Sequence, residues 1–456
     1  MPRFTFRSTI PAEAAEVFAW HQRPGAFQRL TPPWEKMTVE SGEPRLEAGA
    51  RWRLRLSKGL LKLGWIAEIT EVEQGRGFQD IQRRGPFRRW EHAHRFTPSD
   101  AGMCVVEDEV DYELPLGRLG ELVAGGSVRR RLDRLFRYRH ATLRGDLERH
   151  RPYADRPRLR VAISGASGLI GSALRHFLSA GGHEVLALVR RPARNSSEIS
   201  WDPRGGHVET ERLEGLDGLV HLAGENIGSG LWTAARKRRI LRSRVDGTRL
   251  LAEAVARLES PPRIFLHASG ADYYGDRGEE RITEESGPGS GFLAEVCRQW
   301  EAAAEPARRA GVRVIPVRFG MVLSAAGGAL TLLLPLYRLG LGATIGSGRQ
   351  FMSWIGRDDL VGVLHELLWS EALSGPVNGV APQSLPQREF SRTLASVLHR
   401  PHFLRVPAFA IRLALGEMGE TLVLHGARIE PARLMERGFA FRHPRLDDAL
   451  RYELGL

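Results

Sequence analysis

The sequence predicts an α/β protein with three parts: an α+β segment, a doubly wound parallel sheet and a small helical segment. Three observations lead to this prediction. The first 150 residues contain short strands of alternating polarity and then one long amphipathic helix. From Arg158 onward, compact apolar runs alternate with helical stretches, as in parallel sheets that are buried on both faces. A glycine-rich turn joins the first of these apolar runs to the first helical stretch.

Chain length and one polar linker predict the domain boundaries. The 456 residues suit two or three domains. Arg151–Pro157 is polar and contains two prolines, which is typical of a linker. We therefore expect domains at residues 1–150, 158–380 and 384–456.

The N-terminal segment is predicted to be an antiparallel sheet packed on a helix. Four runs alternate as half-buried strands do: Ala50–Leu56, Gly64–Val72, Trp90–Phe96 and Cys104–Tyr112. Apolar residues then recur at helical spacing, at Val128, Leu132, Leu135, Leu143 and Leu147. His92 and His94 share one side of a strand, but two histidines without a third ligand make a poor zinc site. We interpret both as polar lining or surface residues and predict no metal site.

The second segment has the order of a Rossmann-type doubly wound sheet. Its apolar runs are Arg160–Ser164, Glu184–Val189, Gly218–Ala223, Arg263–Ser269 and Val312–Phe319. Helical stretches such as Ser172–Ala180 and Val245–Arg257 lie between them. From about Ser384 a helical tail follows.

The turn after the first of these strands carries the dinucleotide-binding pattern. Gly165, Gly168 and Gly171 have the spacing G-x-x-G-x-x-G between a strand and a helix. The first glycine permits a tight turn, the second lets the backbone approach the pyrophosphate, and the third lets helix and strand pack closely. The helix N-terminus presents free N–H groups to the phosphates, so we also assign Ser167, Leu169 and Ile170 to the cofactor site.

The end of the second strand favours NADP over NAD. An acidic residue at this position binds the NAD ribose, whereas arginine accommodates a 2′-phosphate. Here the strand ends in Arg190 and Arg191, without Asp or Glu. The alternative is that both are surface arginines of an arginine-rich chain.

Further sequence motifs resemble those of a known protein family. They are Trp201–Pro203, Val220–Ile227, Ser269–Asp276 and Gly346–Gln350. Together with the glycine turn they resemble the extended short-chain dehydrogenase/reductase superfamily, and within it the atypical epimerase family group. The tail between Gly416 and Phe441 is similar to the small C-terminal domain of that group. We place five further residues in the cofactor site: Leu222, Ala223, Gly224, Ser269 and Arg318. Arg318 suits an anionic substrate or an internal ion pair equally well.

The N-terminal segment resembles a START-like domain of the polyketide cyclase/dehydrase, or helix-grip, type. The resemblance lies in Ile10–Ala12, Leu30–Trp34, Gly85–Phe87, Trp90–His92 and the long terminal helix. That fold encloses an apolar cavity, so the resemblance implies a hydrophobic ligand.

The catalytic pattern of the superfamily is incomplete. It consists of a serine and a Tyr-x-x-x-Lys pair, of which the tyrosine transfers the proton. Ser269 is at the expected strand end, but Gly291–Glu301, where the pair belongs, contains neither tyrosine nor lysine. Tyr273 or Tyr274 is one possible proton donor, and Glu295 or Cys297 is another. The remaining alternative is a domain that binds cofactor without turnover.

These observations predict a cytoplasmic NADP-dependent oxidoreductase or epimerase-like enzyme for a small carbonyl or sugar-nucleotide-like substrate. The alternative is a non-catalytic NADP-binding sensor or scaffold. The net charge of +12 comes mostly from arginines spread along the whole chain, so we expect no nucleic-acid partner. The sequence also lacks an apolar run long enough for a membrane span, and it does not predict the oligomeric state.

Overall fold

The computed structural model describes residues 2–41, 45–58 and 61–456. The chain divides into two compact units. Unit 1 comprises Met1–Arg158, His176–His183 and Leu454–Leu456, and unit 2 comprises Leu159–Arg175 and Glu184–Glu453. Within the described residues, no helix combines the length and the apolar character that a membrane span needs.

Unit 1 contains the predicted antiparallel sheet and long helix. The seven strands have the order β1-β7-β6-β5-β4-β3-β2, and all neighbours are antiparallel. They are β1 (Arg3–Ile10), β2 (Lys36–Ser41), β3 (Arg51–Lys58), β4 (Leu61–Glu73), β5 (Gly77–Arg84), β6 (Arg89–Ser99) and β7 (Met103–Glu113). The helices are α1 (Ala14–Gln22), α2 (Ala26–Arg29) and α3 (Arg118–His150).

Side-chain alternation explains how this sheet packs. Along β7 every second residue is buried, and the buried series is Cys104, Val106, Asp108, Val110 and Tyr112. The stripe predicted on α3 is buried at Leu132, Leu143 and Leu147. Aromatic and aliphatic side chains thus form the core of unit 1, but one inward position of β7 is occupied by a carboxylate.

A buried ion pair joins α2 to the C-terminal part of α3. Arg29 Nε and Nη2 donate to the two carboxylate oxygens of Asp146, each at 2.7 Å. Both side chains are almost fully buried, with exposed fractions of 2% and 0%. Removing one partner would therefore leave the other charge buried without compensation.

We expect Asp146→Asn to lower the free energy of unfolding of unit 1 by about 3–5 kcal/mol. The measurement is urea denaturation followed by tryptophan fluorescence. The control is Asp133→Asn, which breaks the exposed ion pair with Arg137 and should cost less than about 1 kcal/mol. Equal effects of the two substitutions would contradict the assignment of Asp146 as a structural carboxylate.

Unit 2 is built on an eight-stranded sheet of order β11-β10-β9-β8-β12-β13-β15-β20. Its strands are β8 (Arg160–Ser164), β9 (Glu184–Val189), β10 (Glu198–Asp202), β11 (His207–Val208), β12 (Gly218–His221), β13 (Ile264–Gly270), β15 (Arg313–Phe319) and β20 (Val377–Gly379). The neighbours from β10 to β20 are parallel, whereas β11 pairs antiparallel with β10. The five predicted strands are confirmed within two residues at each end, and the fold is the predicted Rossmann type.

The other elements of unit 2 surround this sheet. The helices are α4 (Leu169–Ala180), α5 (Ala234–Val255), α6 (Phe292–Ala302), α7 (Glu305–Arg309), α8 (Gly328–Arg338), α9 (Arg357–Trp369), α10 (Gln387–Val397), α11 (Ala408–Gly419), α12 (Ala432–Glu436) and α13 (Leu446–Leu454). The short strands are β14 (Gly278–Ile282), β16 (Met321–Leu323), β17 (Gly342–Ile345), β18 (Phe351–Met352), β19 (Trp354–Gly356), β21 (Leu385–Pro386), β22 (His402–Val406) and β23 (Ala427–Ile429).

The C-terminal segment is joined to the rest of unit 2 by strand pairing. Its strands β21, β22 and β23 pair with β18, β17 and β14, respectively. The segment therefore completes small two-stranded sheets that begin earlier in the chain.

The strand order reverses between β8 and β12. From β8 the chain adds β9 and β10 on one side, and it then returns to place β12 on the other side. In parallel sheets the crevice at such a reversal is where nucleotides bind, at the carboxyl ends of the strands. The turns after β8 and β12 therefore define the region of the candidate site.

Candidate functional site

The turn after β8 has a shape that its glycines make possible. Gly165 has φ +70°, and a Cβ there would lie 2.9 Å from the backbone of Leu222 and Ala223. A Cβ on Gly171 would overlap the Gly165 carbonyl oxygen. The Gly168 amide donates to that same oxygen at 2.9 Å. The glycines thus serve the close backbone packing that the sequence predicted.

The loop after β12 packs against this turn. Leu222, Ala223 and Gly224 lie there, and the Leu222 amide donates to Ser164 Oγ at 3.1 Å. Ser164 Oγ in turn lies 2.6 Å from Nδ1 of His221. Burial lowers the pKa of His221 to about 3, so this imidazole is neutral at pH 7. A short polar network therefore fixes the two loops at the reversal point.

The turn offers a cradle that fits a dinucleotide. Ser167 and Gly168 are exposed, and Leu169 and Ile170 begin α4 in half-buried positions. The first amides of a helix lack intrahelical acceptors, so they are available to bind an anion. The small, exposed backbone and the helix N-terminus are what a pyrophosphate requires.

The two arginines after β9 have different surroundings. Arg191 forms a bidentate pair with Glu198, at 2.7 and 2.6 Å. Arg190 is exposed and makes no hydrogen bond or ion pair with any described residue. The sequence predicts the same role for both arginines, but of the two only Arg190 has a guanidinium that is available to a ligand.

A row of polar side chains crosses the carboxyl ends of β13, β15 and β20. Ser269 is in register with Arg318, and Arg318 is in register with Asn378. All three are buried, with exposed fractions of 3%, 3% and 0%. Parallel strands end at the same edge of the sheet, so this row lies on the edge that also carries the glycine turn.

Glu301 on α6 binds the row together. Ser269 Oγ donates to Glu301 Oε1 at 2.7 Å. Arg318 donates from Nε and Nη2 to the two Glu301 oxygens, each at 2.8 Å. Although burial opposes it, the hydrogen bonds and charge of Glu301 raise the pKa of Arg318. Of the two interpretations of Arg318, the structure supports the internal ion pair.

The two candidate tyrosines also differ. Tyr274 is fully buried, and its hydroxyl donates to Asn378 Oδ1 and accepts from Arg318 Nη1, both at 2.8 Å. Burial also raises its pKa. Tyr273 is half-buried, and its ring centre lies 3.5 Å from the Arg318 guanidinium carbon. Tyr274 is thus bound into the row, whereas Tyr273 is the more accessible phenol.

The helix that lacks Tyr-x-x-x-Lys carries Cys297 and Glu301 at the same spacing. Positions i and i+4 share a helix face. Burial raises the pKa of Cys297 to about 12, so its thiol is not ionised at neutral pH. Glu295 pairs with Arg298 and Gln299 on the exposed side of the helix. Sequence reasoning missed Glu301 and Asn378, although the four-residue spacing from Cys297 was a signal for Glu301.

One of the two interpretations of His92 and His94, that they are surface residues, is wrong. Both side chains are buried, with exposed fractions of 4% and 9%, so neither is a surface residue. The Asp80 carboxylate of β5 lies beside both imidazoles, with Oδ2 3.3 Å from His92 Nδ1 and 3.6 Å from His94 Nε2. The sequence could not show this, because β5 was not among the predicted strands.

Comparisons with known proteins agree with both folds. The model of the polyketide cyclase/dehydrase and lipid transport family matches residues 10–136. The NAD dependent epimerase/dehydratase family matches residues 161–375, and a domain of unknown function matches residues 406–453. An epimerase family protein of Mycobacterium leprae is 41% identical over 292 residues, which cover 64% of this chain and 94% of that protein. The chain belongs to this epimerase family.

Two solved structures extend the family comparison. A nucleoside-diphosphate sugar epimerase from Corynebacterium glutamicum is 34% identical, with a TM-score of 0.82. The superposition covers 99% of this chain and 90% of the epimerase chain. The human epimerase family protein SDR39U1, solved with NADPH, is 34% identical with a TM-score of 0.59. That superposition covers 65% of this chain and 100% of the human chain. The epimerase family member described here thus combines an NAD(P)-binding Rossmann fold with an N-terminal START-like fold.

We expect Gly171→Ala to weaken NADPH binding at least about tenfold, equivalent to ~1.4 kcal/mol. The added methyl group would displace the Gly165 carbonyl and open the cradle. The control is Gly287→Ala, where a Cβ meets nothing within 4 Å. Fluorescence titration with NADPH measures both variants, and equal affinities would exclude this turn as the cofactor site.

Proposed function

We propose that this family member is an NADP-dependent, epimerase-like oxidoreductase that acts on a small carbonyl or sugar-nucleotide-like substrate. The observation that carries the proposal is the buried row of Ser269, Arg318 and Asn378 on the sheet edge that carries the glycine cradle. A hydroxyl donor beside a cofactor cradle is what carbonyl reduction and alcohol oxidation need. The hydrophobic ligand of the N-terminal domain stays a prediction.

Two observations support NADP as the cofactor. Arg190 follows β9 at the position that meets the adenosine ribose, and its guanidinium has no partner among the described residues. The human relative was solved with NADPH. A 2′-phosphate would supply the anionic partner that this guanidinium lacks.

The residues of the row suggest how the substrate is handled. A bound nicotinamide would supply hydride transfer. In the ligand-free chain the Ser269 hydroxyl donates a hydrogen bond to Glu301. When substrate binds, the same hydroxyl would donate to a substrate oxygen instead. Arg318 neutralises Glu301 and holds it in place through two hydrogen bonds. Tyr273, packed against Arg318, is the proposed proton donor, and Tyr274 holds Arg318 and Asn378 in position.

Arg190→Ala should weaken NADPH binding about 10- to 100-fold, the value of a charge-assisted hydrogen bond, and leave NADH binding unchanged. The ratio of the two affinities is the readout, so a general loss of folding cannot imitate it. Arg204→Ala, an exposed arginine of the same unit, is the control. An unchanged ratio in Arg190→Ala would disprove the NADP assignment.

Ser269→Ala should lower kcat about 10²–10³-fold, as expected when one oxygen-stabilising donor is lost. Tyr273→Phe should lower it about 10²–10⁴-fold, as expected for a general acid. Tyr274→Phe serves as the matched phenol control and should change kcat less than about tenfold. The probes are simple aldehydes and ketones, followed by NADPH absorbance, and UDP-sugars, followed by chromatography of the products.

Two outcomes would count against this mechanism. Unchanged rates in both Ser269→Ala and Tyr273→Phe would remove the assigned catalytic residues. Tight NADPH binding without turnover of any probe would instead favour the second candidate function, a non-catalytic NADP-binding protein. The observation behind that alternative is the absence of Tyr-x-x-x-Lys from the helix that carries buried Cys297 and partly buried Glu301.

A further inference from the structure

Five ionisable side chains converge inside unit 1, on the face of the sheet that packs on α3. We call them the interior histidine cluster: Asp80, His92, His94, Asp108 and His140. Asp80 comes from β5, the two neighbouring histidines from β6, Asp108 from β7 and His140 from α3. Their side chains are 17%, 4%, 9%, 6% and 5% exposed, respectively. Folding places charged groups in an interior only where partners compensate for the lost hydration.

Asp108 binds one nitrogen of each β6 histidine. His92 Nε2 lies 2.8 Å and His94 Nδ1 lies 2.6 Å from the same oxygen, Asp108 Oδ1. These are hydrogen-bond distances, and an ionised carboxylate only accepts. The contact of His92 also has hydrogen-bond geometry, so His92 Nε2 donates to Asp108.

The opposite nitrogens face Asp80 at longer distances. His92 Nδ1 lies 3.3 Å and His94 Nε2 lies 3.6 Å from Asp80 Oδ2. Both distances are longer than the contacts of the same two rings with Asp108. Ligands at ~2.0–2.1 Å from a tetrahedral metal ion are ~3.3–3.4 Å apart. The observed spacing of 3.3 and 3.6 Å is close to that of three ligands around a metal ion.

Asp108 is itself held in place from the helix side. Its Oδ2 lies 2.6 Å from His140 Nε2, and His140 Nδ1 lies 2.6 Å from Ser8 Oγ on β1. A chain of hydrogen bonds thus fixes the carboxylate that orients His92 and His94. Metal-bound histidines in proteins are oriented in this way, with the second nitrogen donating to a carboxylate.

We propose that the interior histidine cluster binds one divalent transition-metal ion, with Asp80, His92 and His94 as ligands. One donor atom from each of the three lies within 4.8 Å of the others. Two imidazoles and a carboxylate are a ligand set for zinc and for iron(II), and three protein ligands leave a position for water or a ligand oxygen. Asp80 has the most exposed side chain of the cluster and provides the side for metal entry.

Two carboxylates, Asp80 and Asp108, face the histidines of the cluster, and the guanidinium of Arg139 interacts with both. Although burial opposes it, the hydrogen bonds and charges of Asp108 and Asp80 raise the pKa of His92 to about 9. The position between His92 and Asp80 therefore attracts positive charge, and a metal ion there would take the place of a proton.

The test uses the full-length, untagged chain after removal of metals with a chelator. Co²⁺ is the probe, because its visible absorption reports a site with nitrogen and oxygen ligands, and Zn²⁺ is the competitor. We expect one Co²⁺ per chain and its displacement by Zn²⁺. Asp80→Asn should abolish the absorption, and Asp108→Asn should weaken binding about 10- to 100-fold, as for other residues that orient metal ligands.

Two variants act as controls. Asp111→Asn removes a β7 carboxylate that binds Arg3 outside the cluster, and His183→Gln removes a buried histidine elsewhere in unit 1. Both should bind Co²⁺ like the unmodified chain. Binding that survives Asp80→Asn, or that is lost in His183→Gln, would overturn the proposal.

A second measurement keeps the test decisive if Asp80→Asn does not fold. Zn²⁺ should raise the thermal unfolding temperature of the unmodified chain and of Asp111→Asn, because the ion binds only the folded site. No Co²⁺ absorption and no Zn²⁺-dependent rise in the unmodified chain would disprove the metal site, whatever the variants do.

Discussion

The register of the parallel sheet in unit 2 is the constraint on which the candidate site depends. Ser164 pairs with His221 across β8 and β12, and this pairing brings the two turns at the strand reversal together. The same parallel alignment places Ser269 beside Arg318 and Arg318 beside Asn378. Because all these strands end at one edge, a cradle of backbone amides and a row of buried polar side chains share that edge.

The charges in this row are the inverse of those in the usual catalytic pattern of the superfamily. There a lysine stands four residues after the tyrosine, whereas here a carboxylate, Glu301, stands four residues after Cys297. Glu301 is only partly exposed, and Arg318 compensates for its charge with a two-point ion pair. The Ser269 hydroxyl donates a hydrogen bond to Glu301, and the Tyr274 hydroxyl accepts one from Arg318.

The N-terminal unit uses a related principle in a different fold. Along β6 and β7 buried and more exposed residues alternate, and each inward side chain is either apolar or a polar group that needs a partner. At Asp80, His92, His94 and Asp108 the inward positions are polar, and they compensate one another across three neighbouring strands. The remaining inward positions of β7 are apolar and form the core around them.

The sequence by itself determined the Rossmann sheet, the glycine turn and the antiparallel sheet with its long helix, because these depend on local periodicity and on glycine conformation. It also singled out Ser269, Arg190 and Arg318 from their places at strand ends. Only the tertiary structure decided that Arg191 is bound to Glu198, that Tyr274 is buried, and that Glu301 joins Ser269 to Arg318. It alone brought Asp80 to His92 and His94. These pairings join residues on separate elements, and no local pattern in the sequence specifies which side chains meet across a sheet.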